Sequence, residues 1–294
     1  MTSQIKTVML LGLLSAIIIL LGGMLGGRSG VIIAFGLALV MNVGSYWYSD
    51  KIVLSMYHAR ELSPDESPFL HRIVEDLAAR AGLPKPRVCV VPEEAPNAFA
   101  TGRDPEHAVV AVTEGILRLM PPEELRGVLA HEMGHIKNRD ILIQTVAGVL
   151  ASAIVTLANI FQFAAIFGGS RDSEGNGGNP IAMLVMAMLA PLAASIIQMA
   201  ISRSREYLAD DTGADLCGDP LALANALHRL GVASGQIPMT SGNPSTEQMF
   251  IVQPAFAVGG GMNRLFSTHP PLEERIARLQ QRAAERRGGG HWNN

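Results

Sequence analysis

Long apolar runs divide this chain, and polar stretches separate them. The first run covers residues 7–25 and the second covers residues 31–49, and neither contains a charged side chain. About 20 apolar residues are enough for a helix to cross a bilayer. The second run ends in three aromatic residues, 46–48, of the kind that is enriched at membrane–water interfaces. We therefore predict a transmembrane hairpin in residues 1–50. A cleaved signal peptide is the alternative for the first run, but the strongly basic start is missing.

A second pair of apolar runs predicts a second transmembrane hairpin, in residues 141–202. Its helices are expected at about 141–168 and 180–202, with a polar loop around residues 171–174 between them. Both runs are long enough to span a bilayer. The alternative is a buried helical hairpin inside a soluble protein, which would need a much larger soluble domain to cover it.

Between the two pairs, residues 51–140 have the mixed pattern of a soluble α+β unit. Apolar residues at helical spacing predict a helix over residues 67–81 that ends at Gly82. Two short runs rich in valine, residues 87–91 and 107–113, predict strands. This part of the chain should therefore supply a small sheet.

The last stretch, residues 203–294, is polar again and mostly helical in pattern. We predict helices over residues 205–216, 219–230 and 271–287, with an irregular glycine-containing segment before the third. No Lys-Ser or Lys-Thr follows those glycines, so they do not form a phosphate-binding loop. With residues 51–140, this stretch would form one soluble domain that the second hairpin interrupts.

The composition agrees with a membrane protein that carries a soluble part. Of the 294 residues, 48% are hydrophobic and only 17% are charged, and the mean hydropathy is +0.25. These values are too apolar for an ordinary soluble domain. The net charge of −3 gives no general attraction to nucleic acid. The two cysteines form no close pair and no metal-type spacing, which fits a reducing compartment.

The strongest chemical signal is His131-Glu132-Met133-Gly134-His135, in a stretch that reads as a helix from Pro122 to Asp140. Residues four apart share a helix face, so the two histidines can hold one metal ion. Imidazole pairs suit zinc, and Glu132 lies where it can act on a water molecule beside that metal. The alternative is a pair of surface histidines on an ordinary helix.

Zinc needs a third protein ligand, and Glu206 in the stretch 202–210 is the best candidate. Asp210 lies four residues later on the same helical face and can accept a hydrogen bond from a ligating histidine. Both acids could instead belong to a solvated helix face beside the neighbouring arginines, since spacing alone does not decide between these interpretations.

These motifs together resemble the HtpX family, which are bacterial membrane-bound zinc proteases related to the CaaX prenyl endopeptidases. The resemblance rests on HEMGH followed by Asn-Arg-Asp, an apolar hairpin, SRSREYLAD at 202–210 and Ser-Thr-His-Pro-Pro at 267–271. It covers nearly the whole chain, including the order of the apolar runs. It implies one zinc ion, with His131, His135 and Glu206 as its ligands, and it implies Glu132 as the general base.

The resemblance also implies the substrates. They would be polypeptides, above all damaged membrane proteins, in quality control at the bacterial inner membrane. Asn97, Ala98 and Phe99 resemble the substrate-binding edge of related zinc proteases. From the residues alone, this segment could form a third strand whose exposed edge binds an extended peptide, or it could be a plain hairpin segment. No nucleotide-binding motif is visible, so we expect an enzyme that does not use ATP.

The charges at the ends of the apolar runs predict the orientation. Lysine and arginine are concentrated on the side of the soluble part, and the short loops opposite carry only Arg28 and Arg171. The positive-inside rule then places the soluble domain and both termini in the cytoplasm. The expected fold class is therefore mainly α, with four transmembrane helices and a cytoplasmic α+β zincin-like protease domain that contains a small sheet.

Other candidate roles follow from the reaction. Hydrolysis of a peptide bond passes through a tetrahedral oxyanion that a hydrogen-bond donor must stabilise. Our candidate for this donor is His269, with Arg203 and Tyr207 behind it. His269 could instead be a helix-entry residue before Pro270.

Two other functions remain open from the sequence. One is a scaffold or sensor with a closed structural zinc site, which would have no need of Glu132. The other is a protease for prenylated peptides. This chain has only four apolar runs, which are fewer than the resemblance to that branch would require.

Overall fold

The structure is a computed structural model that describes residues 3–152, 154, 203–241, 246, 249–252, 254 and 270–288. It is mainly helical and contains one small mixed sheet. The helices are α1 (Ser3–Met56), α2 (Pro68–Ala81), α3 (Glu114–Leu119), α4 (Pro122–Lys137), α5 (Ile141–Ser152), α6 (Arg203–Cys217), α7 (Pro220–Ser234) and α8 (Leu272–Gly288). The strands are β1 (Arg60–Glu61), β2 (Arg87–Val91), β3 (Ala98–Thr101) and β4 (Val109–Thr113).

Helix α1 is a hairpin of two antiparallel halves. The backbone leaves the helical conformation at Gly27, where φ is 54° and ψ is −138°, inside the turn that the apolar pattern predicts. The Asn42 side-chain amide donates a hydrogen bond of 2.8 Å to Ser15 Oγ, so the halves lie side by side. The second half continues to Met56, several residues beyond the predicted end of the run at residue 49.

One stretch of the described chain, Gly27–Met56, is long and apolar enough to cross a bilayer. The first half of the hairpin contributes a shorter apolar helix, Ile5–Leu20. Helix α5 covers the start of the third predicted run and is also apolar. Its buried residues pack on the first half of α1, with Ile143 and Val146 against Leu10 and Leu14. Residues 155–202, where the remainder of the second hairpin was expected, lie outside the described residues.

The sheet has the order β1-β2-β4-β3. Strand β2 pairs with β4 in parallel, and β1 and β3 are antiparallel to their neighbours. The third strand predicted around residues 97–102 is therefore present, at the edge of the sheet. Strand β4 starts at Val109 and not at 107, because Pro105–His107 forms a short 3-10 turn in which Asp104 caps the backbone N–H of His107.

Each face of the sheet is covered by different helices. On one face, Val110 and Val112 pack into a core with α2, α4 and α7 that includes Val74, Met133 and Leu227. On the other face, the alternate residues of the same strand, Val109 and Ala111, pack with Val53, Tyr57 and Phe250. Because side chains alternate along a strand, β4 is buried on both faces. The site-bearing helix α4 is therefore fixed directly against the sheet.

Candidate metal centre

Helix α4 presents both histidines of HEMGH from one buried face. Pro122 occupies the first turn, where a missing N–H costs little, and Glu123 and Glu124 lie near the positive end of the helix dipole. The helix ends at Lys137 with Asn138 as its C-cap residue, and Arg139 adopts a positive φ of 56° that turns the chain back. His131 and His135 are both buried, so the alternative of a surface histidine pair does not fit this structure.

Helix α6 brings Glu206 to the histidines because it crosses α4 at unusually short range. A Cβ added to Gly134 would lie 2.8 Å from the Ala209 carbonyl oxygen, and one added to Gly213 would lie 2.8 Å from the His131 backbone. Glycine at both positions is therefore what lets the two backbones approach. Glu206, in the first turn of α6, is buried and points into the same space as the imidazoles.

The three donor atoms have the spacing of a single metal ion. The Nε2 atoms of His131 and His135 are 3.1 Å apart. The Glu206 carboxylate oxygens lie 3.8 Å from His131 Nε2 and 3.6 Å from His135 Nε2. A tetrahedral zinc ion with ligand distances of about 2.1 Å separates its ligand atoms by about 3.4 Å. These residues therefore fit zinc in both chemistry and distance.

Each imidazole is oriented by its own carboxylate. His131 Nδ1 lies 2.9 Å from Asp210 Oδ1, and His135 Nδ1 lies 3.1 Å from Asp140 Oδ1. An Nδ1–H that donates to a carboxylate leaves Nε2 as an acceptor. Two imidazole lone pairs and the Glu206 carboxylate would then face one another, so the centre of the site requires a positive charge.

The acid–base properties of the histidines reflect that requirement. Burial lowers the pKa of His135, but the carboxylates of Asp140 and Glu206 outweigh it and raise the pKa to about 10. Burial lowers the pKa of His131 despite its hydrogen bond to Asp210. Without a metal, one proton on His135 therefore supplies the positive charge that the surrounding acceptors demand.

Glu132 lies beside this cluster in a state suited to proton transfer. It is 1% exposed, and burial raises its pKa to about 8. The backbone N–H of Ala100 on β3 donates a hydrogen bond to its carboxylate. Its Oε1 atom has no hydrogen-bond partner in the part of the chain that the structure describes. A buried acceptor of this kind can accept a proton from a bound reactant.

Arg275, on α8, is part of the site, although the sequence analysis did not identify it. It is 1% exposed and forms a two-bond contact with Asp210, at 2.8 and 2.7 Å. Burial disfavours the charged form of Asp210, but Arg275 outweighs this effect and holds the pKa of Asp210 below its ordinary value. Nη1 of Arg275 also donates to the Ile251 carbonyl oxygen at 2.8 Å. Asp140 was likewise not assigned a role from the sequence, although the turn at Arg139 places it beside His135.

The remaining predicted site residues have different outcomes. His269 lies outside the described residues. Tyr207 lies against α8, where the guanidinium of Arg278 is 4.3 Å from its ring centre.

The sheet edge at Asn97, Ala98 and Phe99 is buried, whereas the sequence analysis considered an exposed edge. The reason is that the backbone of residues 250–252 lies along it. Substrate binding by these three residues stays a prediction.

Comparison with known proteins agrees with this geometry. The model of peptidase family M48 matches residues 64–283. A "Protease HtpX homolog" of Syntrophobacter fumaroxidans is 56% identical over 282 residues, which are 95% of this chain and 99% of the relative. One of Pyrococcus furiosus is 55% identical over 281 residues, covering 96% of both chains.

Among solved structures, Ste24p of S. mikatae has a TM-score of 0.49 and 20% identity, over 94% of this chain and 65% of its own length. The family implies a metal, and the buried His131, His135 and Glu206 cluster is where the structure could hold one. The match of the family model and the relatives over 95% of the sequence establish that this chain belongs to peptidase family M48, as a metallopeptidase of the HtpX type.

Proposed function

We propose that this chain is a membrane-bound zinc endopeptidase that hydrolyses peptide bonds of misfolded or damaged membrane proteins. The observation that carries the proposal is the convergence of three buried acceptors from His131, His135 and Glu206 beside the buried carboxylate of Glu132. A closed structural site would have no use for that carboxylate, whose burial is energetically costly. A hydrolytic site needs it as a base.

The residues have distinct roles in this proposal. His131, His135 and Glu206 hold one zinc ion, which when bound supplies a Lewis acid for the scissile carbonyl and for water. Glu132 takes a proton from the attacking water and passes it to the leaving amine. Burial raises the pKa of Glu132 in the metal-free chain, and a bound zinc ion would lower it again toward the range in which the carboxylate accepts a proton at neutral pH. Asp210 and Asp140 keep the imidazoles in the ligating tautomer and orientation.

The oxyanion of the reaction needs a donor, and we propose His269 for this role. The proposal rests on its place in the Ser-Thr-His-Pro-Pro stretch, just before α8. Helix α8 also carries Arg275, which donates a hydrogen bond to Asp210 beside the site. His269 precedes Arg275 by only six positions in the sequence. Asn97, Ala98 and Phe99 would bind an extended stretch of substrate by strand addition.

The membrane arrangement is part of the proposal. Residues 1–50 and 141–202 would form two hairpins in the inner membrane, and residues 51–140 with 203–294 would form the cytoplasmic protease domain. The antiparallel halves of α1 support this arrangement, because they return the chain to the side from which it started. Only residues 138–140 separate α4 from the apolar helix α5, so the site would lie next to the bilayer surface. That position suits membrane-protein substrates.

The test is a cleavage assay with purified protein in detergent. Unfolded membrane proteins and unfolded soluble proteins are supplied without ATP, with and without a zinc chelator. We expect ATP-independent cleavage that the chelator abolishes and added zinc restores. Cleavage that needs ATP would contradict the proposed ATP independence, and cleavage of the soluble proteins alone would contradict the proposed substrate class.

Glu132→Gln is the sharpest variant for this assay. We expect it to retain zinc but to lose about 10²–10⁴-fold in rate, because the general base is gone. The matched control is Glu123→Gln, an exposed glutamate in the first turn of the same helix, which should behave like the wild type. Full activity of Glu132→Gln with zinc present would instead favour a structural metal site.

A further inference from the structure

The outer edge of β3 is already occupied by a segment of the same chain. The backbone N–H of Ile251 donates to the Ala98 carbonyl oxygen at 3.1 Å, and Phe99 forms an antiparallel bridge with Phe250. The Asn97 side-chain amide donates to the Val252 carbonyl oxygen at 2.7 Å. Residues 250–252 therefore run antiparallel to Asn97–Phe99 as a short additional strand, which we call the inner strand.

The inner strand lies beside the proposed reaction centre. Its Ile251 carbonyl oxygen accepts a hydrogen bond from Arg275 Nη1, and the same nitrogen is 3.8 Å from Glu206 Oε2. The next residue of the β3 edge, Ala100, donates its N–H to Glu132. The Ile251 carbonyl is thus separated from the proposed metal ligand Glu206 only by the side chain of Arg275.

An extended substrate would need the same groups. Strand addition uses backbone donors and acceptors of the edge, which here are the Ala98 carbonyl and its neighbours. Neighbouring strands are about 4.8 Å apart, so the edge at Asn97–Phe99 has room for one additional chain. The inner strand and a substrate strand therefore exclude each other at these three residues.

Side-chain packing holds the inner strand in place. The Phe250 ring lies 5.2 Å from the ring centres of both Tyr57 and Phe99, in edge-on contacts. Ile251 and Val252 are also buried, in the core that contains Val110 and Val112, so release of the inner strand requires these side chains to leave the core as well.

We propose that the inner strand, residues 250–252, is an internal occupant of the peptide-binding edge that must leave before substrate binds. The chain in this structure is therefore self-blocked. This inference rests on the proposed function, because it takes the β3 edge as the substrate site. The contrary view is that residues 250–252 are a permanent strand of the sheet and that substrate binds elsewhere.

A reversible cross-link tests the proposal. Phe99 and Phe250 face each other as a non-hydrogen-bonded antiparallel pair, for which the Cα atoms are about 4.5 Å apart and a disulfide is possible. The double variant Phe99→Cys/Phe250→Cys is made with Cys89→Ala and Cys217→Ser, so that no other thiol interferes. The full chain in detergent is then compared oxidised and reduced.

Two readouts separate this inference from the proposed function. Cleavage of fluorescein-labelled unfolded casein is measured with Glu132 intact, and binding of the same probe is measured with Glu132→Gln. We expect the oxidised form to bind and to cleave at least about tenfold less than the reduced form. Equal binding and cleavage in both forms would overturn the inference. If reduction restores binding while no form cleaves, the inference stands and the proposed function fails.

A second variant distinguishes self-blocking from a purely structural role of the inner strand, because the two predict opposite changes in kcat/KM. Phe250→Ala weakens docking of the inner strand, so we expect kcat/KM to rise several-fold, through a lower KM. The control is Leu227→Ala, a fully buried truncation in the core between α4 and α7, which should lower stability without lowering KM. A fall in kcat/KM for Phe250→Ala that matches the control would contradict self-blocking.

Discussion

The metal centre and the edge of β3 lie side by side, but they are built in different ways. The metal centre joins two helices whose backbones touch at Gly134 and Gly213, and its ligands are fixed by buried carboxylates. The edge joins β3 to the inner strand through the backbone hydrogen bond from Ile251 to Ala98, the Asn97 side chain, one aromatic cluster and the buried side chains of Ile251 and Val252. Close helix packing fixes the first region, whereas the second is the region that, in our proposal, exchanges the inner strand for substrate.

The difference matches the separate roles that the proposed function gives to the two regions. A hydrolytic centre must keep its ligands and base in place, and close helix packing achieves this. A substrate edge must accept chains of many sequences, and backbone pairing achieves that because it reads no side chains. Arg275 contacts both regions, since it bonds to Asp210 and to the Ile251 carbonyl.

The largest expected effect is loss of the metal in Glu206→Ala. Without the third ligand, we expect zinc content to fall from about one ion per chain to almost none, with cleavage lost as well. Amide exchange of residues 250–252 should stay slow, because the edge does not depend on Glu206. Metal analysis and hydrogen exchange measure the two outcomes. The control is Asp211→Ala on the same helix, and zinc retention by Glu206→Ala would remove this residue from the ligand set.

Arg275→Lys should disturb both regions at once. A lysine ammonium cannot replace the two-bond contact with Asp210 and the bond to Ile251 together. We expect zinc affinity to fall about 10–100-fold, since Asp210 no longer fixes His131. Amide exchange of Ile251 should become faster. If only one of these two quantities changes, Arg275 does not couple the metal centre to the edge.

The pH dependence of metal binding probes the ionisable groups of the metal centre. A metal cannot bind the protonated Nε2 of His135, so binding below a pKa of about 10 must release a proton. Zinc affinity should therefore rise at least about tenfold for each pH unit between pH 7 and pH 9, since displacement of the proton on Glu132, whose pKa in the metal-free chain is about 8, adds to the slope. Competition with a chelator of known affinity measures this slope. With an ordinary histidine pKa of about 6.5, affinity would be nearly constant over that range.

Gly213→Ala should weaken metal binding less than the two substitutions above and should clearly lower stability. The new Cβ would meet the His131 backbone at 2.8 Å, so α6 must move away from α4. Overpacking of this kind costs about 1–3 kcal/mol of unfolding free energy. Thermal unfolding and zinc affinity are compared with Gly235→Ala, where the nearest atom is 3.8 Å away. Equal unfolding temperatures would mean that close packing does not hold the two helices in register.

Much of the site could be predicted because it is encoded locally. The spacing of four between His131 and His135 fixes a shared helix face, and the same spacing joins Glu206 to Asp210. The first hairpin was equally readable, because charge-free runs and a glycine turn suffice to predict it. The resemblance to HtpX then connected the two helices, and the comparisons confirm that family.

Arg275 was out of reach of the sequence for a physical reason. It lies in a charged amphipathic helix, where arginines normally face water, and only its partner Asp210 makes its burial favourable. Asp140 was hidden in a similar way, since its contact with His135 depends on the positive φ of Arg139.

By itself, the sequence determined most of the described helices, the apolar hairpin of α1 and the residues that can bind a metal, because these follow from periodicity and side-chain chemistry over a few neighbours. The tertiary structure alone decided which carboxylate serves each histidine, that Arg275 enters the site and that residues 250–252 cover the edge of β3. Those contacts join positions up to 155 residues apart. No local pattern specifies such contacts, because they depend on how the folded elements pack.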